Sequence, residues 1–180
     1  MLTKREIRRS IKLRLSEMAA ADRAAESEAI ASRLFSSPEY ASARSIFLYY
    51  SDPLEVDTHD LISRALKDGK RLFLPRTEGE RMLLVPYRAG DALSVGAFGI
   101  SEPQGAATDE VPDLALIPLV AFDRTRARLG RGKGYYDRFL ASYGGTSFAL
   151  AYSVQETDAI PMDGFDVRPT AVLTAKERIE

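Results

Sequence analysis

The 180-residue chain has no cysteine and a single histidine, His59. Without thiols there is no disulfide framework, no cysteine nucleophile and no thiolate metal site, and one imidazole rules out zinc sites built on several histidines. Long apolar runs are missing too. The longest, Leu114 to Phe122, is interrupted by Pro118 and reaches about half the length that a bilayer span requires. The first residues, MLTKREIRRSIKL, are basic but lack the apolar centre of a secretory signal. Net charge is nearly absent, at −1, which argues against a general nucleic-acid binder. The expectation is a cytoplasmic protein with no membrane and no nucleic-acid partner. Its chemistry has to run on carboxylates, amines, guanidiniums, hydroxyls and backbone.

What is present fits an ordinary globular domain. With 45% hydrophobic and 28% charged residues, the chain can bury roughly two thirds of its unfolded surface, and residues 1–180 read as a single domain. The charge is unevenly spread. Residues 1–17 and 123–138 each carry a net +4, leaving −9 on the remainder. Two cationic zones on an acidic body suit a focused anionic ligand better than an extended polyanion.

Thr3 and Glu6 have the spacing of a capping box for a helix from about Lys4 to Ser16, with Ile7, Ile11, Leu15 and Met18 on one stripe. At 100° per residue, Lys4 and Arg8 fall at the edge of that stripe and can turn inward, whereas Arg5 and Arg9 point away. A second helix covers about Ala20 to Phe35. SIFLYY (45–50) reads as a strand. Asp57 or Thr58 can cap a helix reaching about Lys67 before Gly69, and RLFLP (71–75) is the next strand, an order that predicts a parallel crossover. Residues 71–88 resemble a hairpin with Gly79 in the turn, and the polar, Gly- and Pro-rich residues 88–112 read as a surface excursion. DLALIPLVAFD (113–123) is the best buried strand, GYYDRFLASY (134–143) the helix after it, and SFALAY and AVLT are two late strands. The architecture predicted is α/β, a three-layer domain with a mostly parallel sheet flanked by helices on both faces and a ligand site beyond the carboxyl ends of the strands.

The most informative segment is AFDRTRARLGRGKGYYDRF (121–139), where a strand ends, a basic glycine loop follows and a helix begins. Gly130, Gly132 and Gly134 alternate with Arg131 and Lys133, so backbone amides can approach an anion while side chains supply charge and the helix adds its positive end. The spacing is neither a Walker A loop nor a Rossmann fingerprint. A cation 4 Å from a phosphate oxygen is worth about 4 kcal/mol at an effective dielectric of 20. Converging Arg128, Arg131 and Lys133 therefore repel one another unless an anion joins them. Asp137, in the first helical turn, is either an acid favoured by the helix dipole or a hard oxygen ligand for Mg²⁺ shared with nucleotide phosphates. Of Tyr135 and Tyr136, one is expected in the core and the other toward the ligand.

LGRGKGYYD (129–137), preceded by a strand ending in AFD, resembles the signature of the 5-formyltetrahydrofolate cyclo-ligase (methenyltetrahydrofolate synthetase) family. Further stations are the K-x-x-x-R of Lys4 and Arg8, EVDT (55–58), LPR (74–76) and GISEP (99–103). The resemblance implies ATP- and Mg²⁺-dependent closure of 5-formyltetrahydrofolate to 5,10-methenyltetrahydrofolate with release of ADP and phosphate. It implies ATP contacts at Lys4, Arg8 and Arg128 to Tyr136 (Leu129, Gly130, Arg131, Gly132, Lys133, Gly134 and Tyr135 between them). It also implies folate contacts at Glu55 and Arg131 to Tyr135, catalytic roles for Arg131 and Lys133, magnesium ligands at Asp137 and Asp166, and a monomer or weak homo-oligomer. The family commonly reads GFD-x-x-G where this chain has Ala121 and Arg126, so the turn before the loop is expected to differ. Rival readings from the residues are a sugar-phosphate or acyl-CoA-utilising enzyme on a related fold, or an anion- or RNA-binding module.

Overall fold

The computed structural model describes residues 2–180. Helix α1 (Lys4–Glu17) begins as its spacing predicts. Thr3 and Glu6 form a reciprocal capping box, and Ile7, Ile11 and Leu15 are the buried stripe. Helix α2 (Ala20–Phe35) buries Ile30 and Leu34. The five-residue α3 (Pro38–Ser42), too short to carry a period, was not legible in the sequence; Ser37 caps it and Pro38 opens it. In chain order there follow β1 (Ser45–Leu48), α4 (His59–Lys67), β2 (Arg71–Glu78), β3 (Arg81–Tyr87), β4 (Leu93–Val95) and β5 (Ser101–Pro103). Then come β6 (Leu114–Ile117), β7 (Ala121–Phe122), β8 (Arg128–Leu129), α5 (Tyr135–Tyr143), β9 (Thr146–Leu150), β10 (Ala171–Leu173) and β11 (Arg178–Ile179).

Seven strands form one sheet in the order β11-β10-β9-β6-β1-β2-β3. The five central strands are parallel neighbours, and β3 and β11 close the two edges antiparallel. Every residue of β1 and β6 is buried, as expected for strands covered on both faces. Their side chains alternate between two cores. Ile46, Leu48, Leu114 and Leu116 pack with residues of α1 to α4, whereas Phe47, Ala115 and Ile117 pack with Leu140 and Tyr143 of α5. The three layers are therefore unequal, four helices against one. Phe47 meets Phe139 at 4.8 Å between ring centroids with the rings tilted by 51°, and Phe139 stacks on Tyr143 at 5.0 Å, which anchors the helix that follows the glycine loop.

Two expectations need correction. The run 113–123 is not one strand. It leaves the main sheet after Ile117, because β6 is a central strand and Pro118 has no N–H to offer a ladder. The chain then turns into a separate ribbon, in which β7 pairs antiparallel with β8. The excursion 88–112 is likewise not only a surface loop. Its β4 and β5 pair antiparallel, and the tip between them returns to the ends of the strands. At α4, Thr58 occupies the N-cap but its hydroxyl donates to the Tyr49 carbonyl at 2.7 Å; Asp57 instead accepts from the His59 N–H at 2.8 Å.

Candidate active site

A cavity of about 650 Å³ opens beyond the carboxyl ends of β1, β2 and β6, where open α/β sheets bind their ligands. Every site residue marked from the sequence lines it: Lys4 and Arg8 of α1, Glu55 after β1, Arg128 to Asp137, and Asp166. The β7–β8 ribbon makes this convergence possible. Asp123 organises its turn, accepting through Oδ1 from the Thr125 N–H and hydroxyl and the Ala127 N–H and through Oδ2 from the Ile160 N–H. Burial pushes the Asp123 carboxyl up, but these donors outweigh it and hold the group below the usual range. Arg126, at a position where the family commonly has glycine, has φ 65°. A non-glycine residue thus takes a left-handed conformation here, and the Arg126 guanidinium donates to the Pro169 and Thr170 carbonyls at 3.2 and 2.9 Å.

Helix α1 docks directly on the loop. Arg8 Nε donates to the Gly130 carbonyl at 2.8 Å, and a Cβ on Gly132 would lie 3.4 Å from the Arg8 guanidinium. Gly132 and Gly134 have φ 98° and 70°, so a side chain at either would be strained. Lys4 Nζ donates to Asp163 at 2.6 Å and Asp166 at 2.5 Å. Burial alone would lower the Lys4 pKa, but these two carboxylates raise it. Arg5 and Arg9 are exposed, as the helical projection requires.

Arg128 is the buried cation, its side chain 2% exposed. It donates through Nη2 to Asp137 at 2.8 Å, while its Nε has no partner. Arg131 pairs with Asp52 and, at 2.8 Å, with Glu55. Burial pushes the Glu55 carboxyl up and the Asp52 charge adds to the rise, against the pull of Arg131. Among the described residues Lys133 has no carboxylate partner and sits 5.7 Å from the Phe98 ring centroid. Tyr136 packs toward both cores beside Phe47; Tyr135 is the outer ring, donating to the Gly79 carbonyl at 2.6 Å. Both tyrosines line the cavity, so the division expected between them is one of depth.

This geometry corrects the repulsion argument. The clustered cations do not wait for an anion, since Asp137, Asp52, Glu55, Asp163 and Asp166 already neutralise most of them. Five cations and five carboxylates line the cavity, so its anion preference has to come from where the free donors point. Sequence reasoning missed Asp52, Phe98, Glu102 and Asp163. Glu102 stood inside a segment already marked, GISEP, and Asp52 in the unmarked gap between SIFLYY and EVDT, whereas Asp163 becomes visible only once Lys4 is seen to reach it.

Fold and cavity together define an α/β protein with a basic glycine loop laid across the ligand end of a parallel sheet. The profile of the 5-formyltetrahydrofolate cyclo-ligase family matches residues 1–175. The chain is 28% identical to a probable 5-formyltetrahydrofolate cyclo-ligase of Schizosaccharomyces pombe over 99% of its own length and 98% of the relative's. It is 34% identical to the 5-formyltetrahydrofolate cyclo-ligase of Mycolicibacterium smegmatis, covering 86% and 85% of the two chains. The solution structure of the Aquifex aeolicus 5,10-methenyltetrahydrofolate synthetase superposes with a TM-score of 0.87 at 35% identity, over 98% of this chain and 92% of that one. The chain belongs to the 5-formyltetrahydrofolate cyclo-ligase family, whose members are ATP-dependent ligases.

Proposed function

We propose that residues 1–180 act as one cyclo-ligase domain that converts 5-formyltetrahydrofolate to 5,10-methenyltetrahydrofolate, consuming ATP and releasing ADP and phosphate. The observation that carries the reading is the sharing of one cavity by two groups of residues. Glu55 and the loop Arg131–Tyr135 suit the folate; Lys4, Arg8, Arg128 and the loop amides suit phosphates. A formamide carbon is a poor electrophile. The formyl oxygen attacks the γ-phosphorus, ADP leaves, and the oxygen becomes part of a phosphate leaving group. The N10 lone pair then bonds to the formyl carbon, the C–O bond breaks with its electron pair to release phosphate, and N10 gives up its proton.

Arg131 and Lys133 stabilise the charge that moves with the phosphoryl group, a task of positioned cations and amides rather than of a protein nucleophile. Holding N10 against the formyl carbon makes closure intramolecular. Glu55, as an ionised acceptor, suits pterin N–H groups. The residues also fit a magnesium ion. Asp137 and Asp166 each engage their protein partners through a single oxygen, Oδ1 of Asp137 and Oδ2 of Asp166, which leaves one oxygen on each. Among the described residues no three acids or histidines are grouped to hold a metal alone, a pattern that suits Mg²⁺ held by one or two carboxylates together with ATP phosphates. Bound there, Mg²⁺ neutralises phosphate charge.

A cytoplasmic setting and a monomer or weak homo-oligomer complete the reading; no helix among the described residues is long and apolar enough to cross a membrane. The test is incubation with 5-formyltetrahydrofolate with and without Mg-ATP while following the absorbance of the methenyl product. Product only with Mg-ATP is expected. No product under either condition, or binding of RNA that weakens steeply with salt while folates are ignored, overturns the reading.

A further inference from the structure

Closure at N10 releases a proton, and nothing assigned so far receives it. Of the five carboxylates around the cavity, four are tied to cations: Glu55 to Arg131, Asp137 to Arg128, and Asp163 and Asp166 to Lys4. Glu102, on β5, is the fifth. It has no cationic partner among the described residues, yet it is held in place. Its Oε1 accepts from the Thr77 N–H at 3.0 Å and the Thr77 hydroxyl at 2.8 Å. Its carboxyl also lies so close to Gly96 that a Cβ there would fall 2.4 Å from Cδ and from Oε2. Thr77 and Glu102 both line the cavity, and Oε2 accepts no hydrogen bond from any described residue.

A carboxylate held by a cation has that oxygen occupied, and the cation favours its ionised form; at Glu55 burial outweighs that pull, but its Oε1 is taken by Arg131 and its Oε2 by the Asp52 N–H. A fixed carboxylate with a free oxygen facing the cavity has the geometry a general base requires. We infer that Glu102 is the catalytic base of ring closure: as the N10 lone pair bonds to the formyl carbon and phosphate departs, the N10 proton passes to Glu102 Oε2. The inference rests on the proposed cyclisation. It also gives the β4–β5 hairpin a chemical role, since the hairpin carries the proton acceptor to the cavity.

The experiment is a single-turnover comparison of wild type, Glu102→Gln and Glu102→Asp, measuring ADP by quench and methenyl product by absorbance across the acid pH range, with thermal melts alongside. Wild type forms both together, and the rate of closure rises with pH as the base ionises. In Glu102→Gln, ADP is expected at a rate near wild type while methenyl product lags by about 10²-fold and loses that rise with pH; Glu102→Asp recovers part of both. A methenyl rate and pH profile unchanged in Glu102→Gln would overturn the inference, with the proton leaving on phosphate or to water. Equal slowing of ADP and product with the pH profile retained would also overturn it and make Glu102 a strut for Thr77. Absence of product from wild type itself would defeat the cyclisation reading instead.

Discussion

Asp137→Asn separates three effects that meet in one side chain. As an acid in the first turn of α5, Asp137 contributes about 0.3–1 kcal/mol through the helix dipole. The structure adds a larger contribution, because among the described residues Asp137 Oδ1 is the only carboxylate partner of Arg128, a guanidinium whose side chain is 2% exposed and whose Nε has no partner there. Removing one partner of a buried pair costs about 3–5 kcal/mol; asparagine keeps one acceptor oxygen, which brings the loss to roughly 1–3 kcal/mol by the same principle. At about 2–4 °C per kcal/mol for a domain of this size, the melting temperature should fall by about 2–12 °C. The third effect is on metal. Asparagine lacks the charge for Mg²⁺, so the Mg²⁺ midpoint for activity at fixed ATP should rise by an order of magnitude or more. Melts without ligand and activity against Mg²⁺ concentration read the two predictions independently. An unchanged melting temperature would refute the buried-pair argument, and an unchanged Mg²⁺ midpoint with near-normal turnover would remove Asp137 from the metal and leave Asp166, or metal carried in by ATP alone.

Lys133→Ala should leave stability within about 0.5 kcal/mol of wild type, because the residue is exposed and has no carboxylate partner among the described residues, and lower turnover about 10²- to 10³-fold; wild-type turnover at saturating ATP would sink its phosphate role. Glu55→Gln should raise KM for the folate about 10- to 100-fold, the cost of losing charged hydrogen bonds, with a much smaller change for ATP, and equal losses for both ligands would make Glu55 structural. Asp123→Asn should destabilise by about 1–3 kcal/mol, since an amide nitrogen must then meet at least one N–H donor where a carboxylate oxygen now accepts. Because the folded Asp123 pKa is lowered, its contribution is present above an unfolded value near 4 and is lost as pH falls through the folded one; urea melts from pH 6 to pH 3 should show the wild type losing its advantage over Asp123→Asn across that interval.

The elements legible in the sequence were those whose stability is local or periodic. The stripe Ile7, Ile11, Leu15 and the Thr3–Glu6 box lie within one helix, and the Gly79 turn joins strands adjacent in the chain, so spacing alone carries them. The ribbon β7–β8 was hidden because its two strands have only two residues each and are fixed by Asp123, whose four donors come from as far as Ile160. Residue types marked residues that converge on one cavity, since glycines and cations alternating after a buried strand have few purely structural uses. Partners were not readable from residue types. Lys4 finds Asp163 and Asp166 about 160 positions away, and Arg131 finds Asp52 across nearly 80.

That difference bears on how the site works. If the loop cations were free, any polyanion would compete with a nucleotide at low salt. Here an incoming phosphate has to draw Arg131 from Asp52 and Glu55 and share Arg128 with Asp137, and each exchange trades one charged contact for another at little net gain. Selectivity then falls to a ligand that satisfies several exchanges together. On the proposed reading, a triphosphate would occupy the loop amides and Lys133, and the remaining oxygens of Asp137 and Asp166 would hold its Mg²⁺, whereas a single phosphate would engage only part of this set. The paired charges therefore work against weak anions, and the same pairing leaves Glu102 as the cavity carboxylate free to take a proton.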